Sequence, residues 1–204
     1  MKWLSYMLLL VGGVCIMVFG YQYVSHEQAQ KDSLEQAEKA IAKQSVGNSG
    51  GANPESSADF EAPDGDAFAT LEIPKLDKVL PVVEGADPDA LAKGVGHLTN
   101  SVYPGQNDQI VLSGHRDTVF RQFDKIEIGD HYQITTPYGT YTYEIKETEI
   151  VSADDTSVIG ETGEEVLVVT TCYPFEYVGN APERFVTYAY PVDSDDDQGQ
   201  YARQ

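Results

Sequence analysis

The first pattern along the chain is an apolar run. From Trp3 to Val24 the sequence WLSYMLLLVGGVCIMVFGYQYV carries no formally charged side chain. At about 1.5 Å per helical residue, such a run reaches across a bilayer core of about 30 Å. Lys2 and the α-amino group lie on one side of it, and Tyr21 and Tyr23 at the other, where interfacial aromatics gather. A cleaved signal peptide has a shorter apolar core and a small-x-small site after it, and YQYVSHEQAQ offers neither. Residues 1–25 are therefore read as an uncleaved, single-pass transmembrane anchor, with the remainder of the chain outside the cell.

The pattern then changes twice before a folded domain begins. Glu27 to Gln44 (EQAQKDSLEQAEKAIAKQ) is rich in helix formers and poor in apolar positions, which reads as an exposed helical stalk. Ser45 to Asp66 is dominated by Gly, Ser, Pro and Asn and reads as a linker, so 26–67 forms a stalk and tether. From 68 to 192 short strand-like segments dominate. They include TLEIP, KVLPVVEG, QIVLSGH, the pair around the Pro137–Tyr138–Gly139 turn, EEVLVVTTC and RFVTYAYPV. PDALAKGVGHL reads as a short helix with Asp87 as N-cap ahead of Pro88. Many short strands with little helix imply an all-β domain closed into a barrel. The acidic tail 193–204 (DSDDDQGQYARQ) reads as disordered.

Composition narrows the partners. With 33 acidic against 13 basic residues, the formal charge is −20. Phosphate binding needs concentrated Lys and Arg, so a nucleic-acid partner is excluded. The chain has 2 cysteines, Cys15 inside the apolar run and Cys172 in the folded domain. A membrane between them forbids a bond. An unpaired cysteine in an exported domain is then either a buried apolar residue or a reactive thiol.

Two apolar strands end on reactive residues: QIVLSGH delivers His115 and EEVLVVTTC delivers Cys172. A thiol attacks a carbonyl as thiolate, which a cationic neighbour favours. An imidazole fits that part and can later protonate a leaving amine. The oxyanion so formed calls for directed donors, which a guanidinium supplies. The four arginines are Arg116, Arg121, Arg184 and Arg203. Arg184 opens the strand after the cysteine and lies beside it only if the two strands pair antiparallel.

The runs GHRDTVF (Gly114 to Phe120), TTCYPF around Cys172 and PERFVTYAY around Arg184 resemble the sortase family, as do LEIPKLDKVLPVVEG and YPGQNDQIVLSGHRDTVF. The resemblance extends from about Thr70 to Pro191. GHRDTVF followed by KIEIGD, and TCYPF, are most similar to class D sortases of Bacillus-type Gram-positive bacteria. One departure is the Val168–Val169–Thr170–Thr171 run before the cysteine, where a Thr-Leu-x-Thr pattern is common in the family.

The resemblance implies a closed eight-stranded sortase β-barrel and a cysteine transpeptidase in 68–192. Cys172 would form a thioester with an LPXTG-type sorting signal of a surface-protein precursor. His115 would act as acid and then base, and Arg184 would stabilise the oxyanion. The acceptor would be a peptidoglycan amine, with water as a slow competitor. Two further readings stay open: a pilus-polymerising sortase, and a non-catalytic, membrane-tethered wall-binding β domain. The Asp-Pro-Trp/Phe-like lid element of polymerising sortases has no counterpart before Phe68. A papain-like or L,D-transpeptidase-type enzyme is disfavoured by the absence of their cysteine motifs.

No cofactor is expected. No His/Cys spacing fits zinc and no EF-hand pattern occurs. Asp154, Asp155, Glu161, Glu164 and Glu165 read as a solvated acidic loop. A comparable loop binds calcium in some sortases, so a weak divalent-cation effect is the alternative. His26 and His131 are expected to be exposed, His97 to sit in a loop, and Asp117 to stabilise a turn.

Overall fold

The computed structural model describes residues 2–46, 57–177 and 179–192. The acidic tail and residues 47–56 of the expected linker lie outside these residues. Eight strands close into a barrel: β1 (Ala67–Ile73), β2 (Lys78–Glu84), β3 (Val95–His97), β4 (Gln109–Gly114), β5 (His131–Thr136), β6 (Gly139–Ser152), β7 (Val166–Tyr173) and β8 (Glu183–Pro191). Their order around the barrel is β1-β2-β3-β4-β7-β8-β6-β5, and β1 pairs with β5 to complete the ring.

The near-continuous apolar runs of β4 and β7 follow from burial on both faces. Leu167 and Val169 of β7 point into the barrel with Ile110 and Leu112 of β4. The alternate residues Val166 and Val168 join Val111, Val151 and Val186 in a second cluster on the outside, packed against Leu98 and Val158. A strand covered on both sides has no solvent face on which to place polar residues.

Two parallel pairs interrupt the otherwise antiparallel barrel, β2 with β3 and β4 with β7. The second is the one that matters for chemistry. It is in register from Gln109↔Val166 to Gly114↔Thr171, so β4 and β7 end together at one rim.

Before the barrel, one helix, α1, runs continuously from Lys2 to Val46. Its most apolar stretch, within Tyr6–Lys43, has a mean hydropathy of 1.9 and is long enough to cross a membrane. The distal half departs from the expected exposed stalk. Ser33 and Ala37 are buried, and Ala37 packs with Ala67, Val83 and Ala90. The sequence hides this contact because the docking face is a single narrow line of small residues. Small side chains let two backbones approach but produce no apolar stripe of the usual width.

The expected linker also ends earlier than its composition implied. Phe60 packs on the barrel core and Ala62 is buried in it. The Ala62 N–H donates to Tyr103 Oη at 3.2 Å. The short helix forms with its expected cap but ends sooner than expected: α2 spans Pro88–Lys93, the Asp87 carboxylate accepts from the N–H groups of Asp89 at 2.8 Å and Ala90 at 3.3 Å, and Val95–His97 of the expected helix form β3 instead.

Candidate active site

His115, Cys172 and Arg184 share one rim and one face, for reasons that can be counted along the strands. Side chains alternate faces with a period of two. Cys172 therefore faces the same way as Val168, Arg184 the same way as Val186, and both valines belong to the outer cluster. His115 is one residue past the end of β4 and continues the parity of Val111, another member of that cluster. The nearest ladder partners before the gap are Gly114 and Thr171. Beyond them the two strand ends present His115, which is exposed, and Cys172, which is half-buried. No hydrogen bond joins the two side chains among the described residues. Catalytic hydrogen bonds are often long in a free enzyme and tighten only on substrate.

The antiparallel β7–β8 pair places Cys172 directly opposite Arg184. Arg184 is half-buried, and its Nη1 donates to the carbonyls of Glu183 at 2.9 Å and Ala181 at 3.2 Å. On the other side of β8, Arg184 is the register partner of Val151. The guanidinium is thus carried by a central strand of the sheet, flanked by β7 and β6.

The loop after β4 is held on several sides. The His115 carbonyl accepts from the N–H groups of Phe120 at 3.1 Å and Thr118 at 3.3 Å. Gly114 is required here: a Cβ on it would stand 2.5 Å from the Phe120 ring and 2.7 Å from Val119. Lys78 Nζ reaches across from β2 to the carbonyls of Arg121 at 2.7 Å and Val119 at 3.0 Å. Partial burial, with the nearby Arg121 charge, pushes the Lys78 ammonium below its ordinary value. Arg121 in turn donates to the Asp117 carbonyl at 2.8 and 3.2 Å. Inside the barrel, Thr171 Oγ1 donates to the Gly114 carbonyl at 2.8 Å and straps β7 to β4 at its last paired residue.

Arg116 is the residue that the sequence reading passed over. It stands next to His115, is only 7% exposed, and sends its guanidinium to three backbone carbonyls of the β7–β8 loop. The only signal for it in the sequence was adjacency to the histidine. Asp117, exposed, has its carboxylate 3.5 Å from Arg116 Nε.

Aromatic side chains ring the same rim. Phe175 lies 5.3 Å from both Tyr173 and Phe185, and Phe185 meets Phe123 edge-on at 6.1 Å. On the α1 side, a cleft of about 600 Å³ opens between His115, Asp117 and Arg121 and the helix residues His26, Glu27 and Gln30.

The remaining histidines divide. His26 and His131 are exposed, as expected. His97 is in strand β3 rather than a loop and is 1% exposed. Its Nδ1 lies 2.8 Å from Glu84 Oε2, its parallel-strand partner, and its ring stacks on Tyr103 at 4.7 Å. The surrounding sequence GVGHLTN looked like a loop because its glycines mask a strand of three residues. Gly96 is needed because a Cβ there would meet the Gly85 carbonyl at 2.6 Å.

In the acidic loop, Glu165 folds back to bind Tyr143 Oη at 2.7 Å and the Gly105 N–H at 3.1 Å. Asp155 accepts from the Ser157 N–H at 2.9 Å. Among the described residues, no group of three or more His, Cys, Asp or Glu side chains gathers as a metal site.

A rim carrying a cysteine, a histidine and an arginine on the outer face of a closed eight-stranded barrel defines a class, and the comparisons agree with it. Residues 71–192 match the sortase domain, and the chain belongs to the sortase family. It is 44% identical to Sortase D of Bacillus subtilis over 198 residues, covering 94% of this chain and 100% of that one. It is 39% identical to the catalytic domain of B. anthracis SrtD, with a TM-score of 0.57 over 69% of this chain and 97% of that one. A Clostridium perfringens Sortase D5 transpeptidase superposes with a TM-score of 0.63 at 26% identity, covering 78% of this chain and 99% of that one. The protein is thus a sortase, a transpeptidase of the family that anchors proteins to the cell wall, with an N-terminal helix suited to hold it at a membrane.

Proposed function

We propose that this sortase cleaves an LPXTG-type sorting signal through a thioester on Cys172 and transfers the surface protein to a peptidoglycan amine. The Cys172 sulfur attacks the scissile carbonyl carbon as thiolate. Arg184 receives the developing oxyanion; among the described residues its hydrogen bonds run through Nη1, which leaves Nε and Nη2 for a substrate oxygen. As the C–N bond breaks, His115 gives its proton to the leaving amine. The incoming amine then attacks the thioester and loses a proton to His115. The new peptide bond forms as the C–S bond breaks, and Cys172 leaves as thiolate beside the reprotonated His115. Water in place of the amine gives hydrolysis. The membrane helix holds the catalytic domain on the outer surface, where sorting signals and wall precursors meet.

The observation that carries this reading is the register pair Cys172↔Arg184 at the rim where β4 delivers His115. The test uses the full chain with an LPXTG-type peptide. The expected result is an acyl-enzyme mass on Cys172 and faster product release when an amine is added. Cleavage without any covalent adduct on Cys172 would refute it.

A further inference from the structure

The His115–Cys172 relationship poses a mechanical problem. Main-chain pairing between β4 and β7 ends at Gly114↔Thr171. Past that point no ladder bond sets the spacing of the two strand ends, yet a nucleophile and its acid/base partner tolerate little misplacement. Arg116 lies where a substitute for the ladder is needed. Its backbone follows His115 directly, and its side chain crosses to the segment that follows Cys172. Nη1 donates to the Pro174 carbonyl at 3.2 Å, and Nη2 donates to the carbonyls of Tyr177 and, at 3.0 Å, Gly179. Gly179 has φ +102°, a conformation that glycine adopts freely, and its carbonyl is one of the three held.

The arrangement is costly, which argues against incidental packing. A guanidinium buried to 7% exposure loses most of its hydration. Three neutral carbonyls compensate only partly; among the described residues Nε has no hydrogen-bond partner, and the one carboxylate within 4 Å, that of Asp117, is 3.5 Å away and largely in solvent. A hydrophobic side chain of similar volume would avoid that cost. It could not bind three carbonyls at once, which the planar fork of an arginine does.

We propose that Arg116 is a positioning residue, clamping the β7–β8 loop so that His115 and Cys172 keep a working separation beyond the end of the β4–β7 ladder. The inference rests on the assignment of Cys172 and His115 given above.

The experiment compares the full chain with R116Q and R116K by amide hydrogen exchange, by iodoacetamide alkylation of Cys172, and by kcat and KM on an LPXTG-type peptide. In R116Q, exchange across the β7–β8 loop should quicken about tenfold or more while the Leu167 and Val169 amides of the core stay protected. Alkylation should slow by about threefold or more, and kcat should fall about tenfold or more with KM within about twofold. R116K, which keeps the charge but not the fork, should fall between. If the R116Q core also loses protection, R116K decides by the same readouts. Unchanged loop exchange and alkylation in the folded variants would overturn the proposal, as would a defect confined to KM. Should the wild-type chain fail to cleave the peptide, the proposed substrate falls, while exchange and alkylation still decide the role of Arg116.

Discussion

Cys172 and Arg184 are register partners across β7 and β8, so a thiol and a guanidinium stand side by side on one face of a continuous sheet. Their spacing is set by main-chain hydrogen bonds and not by a loop. A site built this way changes little when solvent-side residues change, and it fails sharply when one of its own side chains is altered.

Truncating the proposed nucleophile is the plainest case. C172A should keep the fold, since the side chain is half-buried and makes no hydrogen bond to His115. Both cleavage and transfer should drop by about 10³-fold or more, read as initial rates on the peptide with and without amine. A thermal midpoint close to that of the wild type separates this loss from unfolding.

At Arg184 the charge alone should not suffice. R184A should lower kcat by about 10²- to 10³-fold, the usual effect of removing an oxyanion donor. R184K should recover little, because a lysine places one ammonium where the arginine offers a fork. Steady-state kinetics on both variants check this.

Thr171 tests the strap between the two strands. T171V keeps the shape and removes the 2.8 Å hydrogen bond to the Gly114 carbonyl. The expected destabilisation is about 1 kcal/mol, measured by denaturant unfolding. Activity should fall further than that loss of folded fraction explains, because the strap lies at the residue before each of His115 and Cys172.

The Glu84–His97 pair predicts a pH dependence. Burial alone would push the Glu84 carboxyl up, but the hydrogen bond and charge of His97, aided by Tyr103, outweigh it and hold the group below its ordinary 4.5. Tyr103 itself is pushed up to about 12, first by burial and then by the Glu84 charge, and it remains a neutral donor. A carboxyl with a lowered folded pKa stabilises the fold above 4.5 and loses that contribution as pH falls through the folded value. The wild type should therefore melt well above E84Q at pH 7, and the gap should close in acid below 4.5. Thermal melts across pH check the convergence; a gap that widened in acid would contradict it.

The docked helix makes a separate prediction. Ala37 is fully buried between α1 and the barrel. A37L should overpack that contact and destabilise the full chain by about 1–3 kcal/mol. Substitution at the exposed Glu38 should have little effect. Chemical denaturation of the full chain in detergent distinguishes the two.

Much of this molecule is legible in its sequence because the signals are local. The apolar run of α1, the Asp87–Pro88 cap and the Pro137–Tyr138–Gly139 turn depend on neighbours a few residues apart. The strands ending at His115 and Cys172 are marked by continuous valine, leucine and isoleucine, which burial on both faces requires. GHRDTVF and TTCYPF carry the family because they lie on those strand ends. His97 misled for the same local reason: a strand of three residues with a glycine before it and another at its centre has no periodicity to read.

What only the tertiary structure decided is how distant segments meet. The parallel β4–β7 register brings His115 and Cys172 to one rim, and the antiparallel β7–β8 register sets Arg184 opposite the thiol. Ala37 looks like part of a solvated stalk until Val83 and Ala90 cover it. Arg116 looks like one more charged residue until three carbonyls, roughly 60 positions along the chain, converge on it. The physical reason is common to all of these cases. Strand register and side-chain burial are fixed by contacts between residues far apart in the chain, and the local pattern records which face a residue turns without recording what that face will meet.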